Sequence, residues 1–106
     1  MVEVFRADEL PPGEARRVIV GGHPVAVFHA DEGWFAIDDT CTHQDASLAE
    51  GYLEGCLVEC PLHASFFDLR TGEVTSPPAK RPVKTYYVEV RDGTVAVDLH
   101  RRRATA

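Results

Sequence analysis

The chain has 106 residues, 44 % hydrophobic and 26 % charged, which is room for one folded domain and not the composition of a disordered chain. No apolar run approaches the ~18 residues of a membrane span, and no basic segment leads into an apolar one at the N-terminus, so neither an integral membrane protein nor a secretory leader is expected. The net charge is −6, and residues 1–100 alone carry 8 basic and 17 acidic residues, a charge of −9 that would repel phosphate backbones and argues against nucleic-acid binding.

In chain order, Val2 to Phe5 alternates and reads as a short strand, and Asp8 to Gly13 as a turn region. Ala15 to Val20 and Pro24 to His29 read as a hairpin turning at Gly21-Gly22-His23, with His23 expected to be solvated. Asp31-Glu32-Gly33 is another turn, and Trp34 to Ile37 a further strand. Units recurring every 8–12 residues have the rhythm of an antiparallel sandwich or barrel.

The middle of the chain changes character. Residues 38–55 are rich in Asp, Glu, Gly, Ser and Thr, and only Ser47 to Glu50 has the makings of a helical turn. Cys56 to Cys60 and Ala64 to Asp68 read as strands, and Ser76-Pro77-Pro78 as a loop. Lys84 to Val90 and Thr94 to Leu99 alternate around Asp92-Gly93, the clearest hairpin in the chain. Trp34 is read as core, and of Tyr86 and Tyr87 one is expected inside and one outside. His100 to Ala106, with three arginines, is expected to be a frayed basic tail.

Three cysteines, Cys41, Cys56 and Cys60, are too few for a disulfide framework and suit a reducing cytoplasm. Cys56 lies in an apolar run without a partner in sequence and reads as a small buried hydrophobe. The other two each have a histidine close by: Cys41-Thr42-His43 and Cys60-Pro61-Leu62-His63, with sixteen residues between His43 and Cys60. Each segment follows an expected strand, so two hairpin tips would aim two sulfurs and two nitrogens at one site. Zinc accepts such a set tetrahedrally, although its usual patterns put two cysteines on one knuckle and two histidines on a helix. A [2Fe–2S] centre with two thiolates on one iron and two neutral imidazoles on the other is satisfied by loops that each give one of each.

C-x-H, sixteen residues, then C-x2-H resembles the Rieske cluster motif, and the likeness extends over nearly the whole chain. It is most similar to the small Rieske ferredoxins of bacterial aromatic-ring-hydroxylating dioxygenase systems. The resemblance implies an all-β fold: a Rieske-type antiparallel β-sandwich with a small cluster-binding subdomain of two ligand loops. It implies one domain over 1–100 (loops about 40–80), a basic tail over 101–106, and one [2Fe–2S] cluster on Cys41, His43, Cys60 and His63. Pro77 and Pro78 would be a lid beside the cluster, and Ser65 would match a position that donates to a bridging sulfide.

The implied role is to pass single electrons from an NAD(P)H-dependent, flavin-containing ferredoxin reductase to a terminal oxygenase, as a cytoplasmic monomer and not an enzyme. The aromatic compound would be biphenyl, carbazole, naphthalene or similar. Only His23, His29 and His100 are left over for a mononuclear iron, and no GxGxxG is present for a dinucleotide. The respiratory Rieske type is disfavoured because its extra cysteine positions align with Ala46 and Leu62 and its tyrosine with Phe67. The alternatives are an iron–sulfur sensor, a structural zinc domain, or the Rieske-like small subunit of nitrite reductase. Asp38, Asp39, Asp45, Glu50, Glu54 and Glu59, with no Lys or Arg between residues 38 and 60, suggest an acidic collar for a basic partner.

Overall fold

The computed structural model describes residues 1–42, 46–62, 65–75 and 81–103. Its strands are β1 (Val2–Arg6), β2 (Glu14–Val20), β3 (His23–Ala30), β4 (Gly33–Asp38), β5 (Tyr52–Glu54), β6 (Leu57–Glu59), β7 (Phe66–Asp68), β8 (Thr85–Arg91) and β9 (Thr94–Asp98). One-turn 3-10 segments stand at Ala7–Glu9 and Leu48–Glu50. The larger sheet runs β1-β9-β8-β4-β3-β2 and the smaller β5-β6-β7, and the paired strands are antiparallel. This is the expected all-β sandwich.

The hairpins follow from turn chemistry. Gly21 and Gly22 have φ of 57° and 82°, and Asp92 and Gly93 have 53° and 77°. Two consecutive positive φ values match the strand twist in a two-residue turn, and Asn, Asp and Gly tolerate them at least cost. The turn at Gly21-Gly22 is therefore complete without His23, which pairs with Val20 and opens β3.

Strand β3 is covered on both faces. Ala26, Phe28 and Ala30 join Phe35 and Ile37 of β4 against Leu48, Val58, Phe67 and Leu69 from the small-sheet side. Val25, Val27 and Ala36 face the other way, onto Phe5, Val20, Tyr86, Val95 and Val97. Val25 to Phe28 are all fully buried, which is why β3 reads as a continuous apolar run instead of alternating. The larger sheet thus curls over its own core, and the smaller sheet lies against the outer face of β3 and β4. Tyr86 is buried and Tyr87 half-buried, and Trp34 packs half-buried against the inner core.

The end of the chain does not fray at His100. The Arg101 carbonyl accepts the Tyr87 N–H, which lies just beyond the last β4–β8 pair, Ala36 with Tyr86. The guanidinium groups of Arg101, Arg102 and Arg103 then lie over the rings of Tyr87, Tyr86 and Phe35, at 3.9, 5.1 and 4.3 Å from the centroids. Three arginines read as solvated charge each have an aromatic face beneath them.

Candidate metal centre

Two loops carry the candidate ligands, and they are closed in the same way. Past β4, Thr40 bridges to Ser47, and the Cys41 N–H donates to the Ala46 carbonyl at 3.0 Å. Between β6 and β7, the Cys60 N–H donates to the Ser65 carbonyl at 2.9 Å. Each cysteine therefore sits at the root of a loop, its N–H bonded to the carbonyl five residues on. Leu62 in the second loop is 60 % exposed, whereas Cys41 and Cys60 are 3 % and 1 % exposed.

Both thiols lie in the same apolar core, with Ala46, Leu48, Val58 and Phe67, and neither forms a disulfide. Two buried cysteine thiols outside any disulfide fit a centre that takes two thiolates on one metal and screens them from water. The other two expected ligands, His43 and His63, lie outside the described residues, as do Asp45 and Ser76-Pro77-Pro78. Ser65 is fully buried at the closing bond of the second loop, and Phe67 is fully buried on β7.

Several side chains differ from their sequence reading. Asp38 and Asp39 are not part of an exposed collar. Asp38 takes a hydrogen bond from the Tyr86 hydroxyl, lies 2.8 Å from His23 Nε2 and accepts the Lys84 N–H at 3.0 Å. Burial pushes its carboxyl up, but the bonds from Tyr86, His23 and Lys84 outweigh that and hold it below the usual range. His23 is accordingly a partnered residue, not a solvated turn residue. Asp39, 2 % exposed, is ion-paired with Arg17 at 3.1 Å. Glu50 and Glu54 do stand exposed, with Glu59 half-buried. Cys56 is buried as expected but has a partner, Glu32, whose Oε2 accepts from the thiol at 2.8 Å. Nothing local in the sequence announces the Arg17–Asp39 pair, whose members are twenty-two positions apart.

A family model described as Rieske [2Fe-2S] domain matches residues 1–87. The 3-phenylpropionate/cinnamic acid dioxygenase ferredoxin subunit of Photorhabdus laumondii is 48 % identical over 95 residues, covering 89 % of this chain and 90 % of its own. The biphenyl dioxygenase ferredoxin subunit of a Pseudomonas strain is 47 % identical over 95 residues, 89 % of this chain and 87 % of its own. Among solved structures, a complex of reduced oxygenase and oxidized ferredoxin in carbazole 1,9a-dioxygenase holds a chain 39 % identical to this one. It superposes with a TM-score of 0.87 over 98 % of this chain and 96 % of that chain.

Proposed function

The chain belongs to the Rieske [2Fe-2S] domain family, and from that premise we propose that it is the ferredoxin of an aromatic-ring-hydroxylating dioxygenase system. It carries electrons and transforms no substrate. When bound, the single [2Fe–2S] cluster supplies a one-electron couple. Cys41 and Cys60 would hold one iron as thiolates, and His43 and His63 the other through neutral imidazole nitrogens. The observation that supports this most is the pair of buried cysteines outside any disulfide, each at the root of a loop closed by the same backbone bond.

The chain's own residues set the path. The apolar core keeps water from the thiol side. Next to the expected histidines in sequence, Leu62 is exposed and Thr42 half-buried, so we take this side as the one where electrons enter and leave. The partners are a flavin-containing ferredoxin reductase and a terminal oxygenase, met in turn by a cytoplasmic monomer. The ligand loops lie at about 40–80, and the basic segment that follows residue 100 packs back onto the domain through Arg101, Arg102 and Arg103. The exposed acids Glu50 and Glu54 suit basic patches on those partners.

Reconstitution tests the reading. The purified protein is combined with a dioxygenase-system reductase and its terminal oxygenase, and NADH oxidation and ring hydroxylation are followed. Product should form only when the loaded protein is present, and electron transfer should slow as salt rises to about 0.5 M, where screening is strong. A colourless protein with stoichiometric zinc, or a loaded one that passes no electrons, would overturn it.

A further inference from the structure

The first ligand loop is tied to the sheet by one buried carboxylate. Asp39 Oδ1 accepts from Ser47 Oγ at 2.7 Å and from the Ala49 N–H at 3.1 Å. Asp39 Oδ2 accepts from Arg17 Nε on β2 at 3.1 Å. Its backbone joins in: the carbonyl accepts the Leu48 N–H at 2.7 Å, and its N–H donates to the Pro24 carbonyl on β3 at 3.3 Å. One residue, two before Cys41, therefore links β2, β3 and the returning limb of the loop. Asp39 is 3 % exposed at its side chain and Arg17 is 51 % exposed, so the carboxylate is buried while its counter-charge is partly wet. Arg17, Asp39, Thr40, Ala46, Ser47 and Glu50 line an open polar pocket of about 260 Å³. Arg17 is the basic residue lining that pocket, which two acids, Asp39 and Glu50, also line.

We propose that Arg17 and Asp39 are a positioning pair for the first ligand loop: Asp39 fixes the loop that carries Cys41, and Arg17 neutralises the charge this places beside the centre. The inference rests on Cys41 being a ligand. Two consequences separate from each other. Removing Arg17 leaves the buried Asp39 carboxylate without its counter-charge, and removing the Asp39 charge leaves Arg17 unpaired and drops its tie to the loop, so each loosens the loop, whereas removing both charges together leaves little unpaired. Reduction adds one negative charge to the centre, so losing the cation should disfavour it and losing the anion should favour it. Loosening alone would move both single variants the same way.

The test uses the loaded full-length protein as wild type, Arg17→Gln, Asp39→Asn and the double variant. Cluster loss under chelator, followed by visible absorbance, should be on the order of tenfold faster in each single variant and closer to wild type in the double. The midpoint potential should fall in Arg17→Gln, rise in Asp39→Asn and return toward the wild-type value in the double. Shifts of one sign in both singles, or a double variant worse than either, overturn the pairing. Amide hydrogen exchange gives a reading that does not depend on the centre. The Leu48 and Ala49 amides should exchange faster in both single variants, and unchanged exchange there overturns the proposal. A wild type lacking a Rieske spectrum would instead count against the ligand assignment, and the exchange result would still decide the pair.

Discussion

The Cys56 thiol shows how one buried polar atom acquires a pH dependence. Burial raises it first, and the Glu32 carboxylate that accepts its proton raises it further, from the usual 9.0 to about 11. A group held more basic in the folded chain stabilises the fold fully below its unfolded value. That contribution is lost as pH climbs from about 9 toward 11. At pH 8 the folded thiol should hold roughly a hundredfold less thiolate than an ordinary one, and so resist alkylation. Mass-spectrometric alkylation of the loaded protein should show Cys56 slow, and Glu32→Gln should speed it by bringing the thiol down toward 9.0. Equal rates in the two proteins would mean Glu32 does not set the thiol. The sequence made Cys56 legible as buried, because its run is apolar, but not as paired: Glu32 lies in a turn twenty-four positions away. The same holds for His23, whose partners Asp38 and Tyr86 are brought to it by the β3–β4–β8 pairing.

Among the elements, those with long alternation or a two-residue Gly or Asp-Gly turn were legible, and β2, β3, β4, β8 and β9 fall close to where their patterns put them. Strand β5 was not, because Tyr52–Glu54 is three residues long and is defined by its β6 partner more than by its own pattern. The closing segment was misread for a related reason: an Arg-Arg-Arg run looks solvated until the rings beneath it are known. Its worth can be measured. Ending the chain after His100 removes the carbonyl that takes the Tyr87 N–H and three stacked guanidiniums. At about 0.5–1 kcal/mol for each exposed contact, the truncated protein should lose roughly 2 kcal/mol in urea unfolding followed by Trp34 fluorescence. Identical unfolding curves would show that the segment adds nothing to the fold.

For the whole molecule, two cores pack on either face of β3 and β4, and the roots of both loops, Cys41, Ala46 and Cys60, belong to the one on the small-sheet side. The fold class was legible, and Cys41, His43, Cys60 and His63 could be put forward together as ligands because ligand spacing is a local property of sequence. The supports behind them were not, because Arg17, Asp39 and the closing bonds are products of tertiary pairing. The environment also bears on the potential. Phe67 is fully buried and brings no hydroxyl, Ala46 and Leu62 cannot form a disulfide, and Glu50 and Glu54 add negative surface. These disfavour a reduced, more negative centre, whereas Ser65 and the Arg17 cation favour it. Protein-film voltammetry should give a midpoint near the low end of the Rieske span, on the order of −150 mV, and one above about +100 mV would point to the respiratory type. The ligand set itself is tested most directly by electron paramagnetic resonance of the reduced protein beside its His63→Cys variant. The wild type should give the Rieske spectrum with its low average g, and the variant should lose it, either to an all-thiolate pattern or with the cluster itself. A Rieske spectrum unchanged in His63→Cys would contradict the assignment.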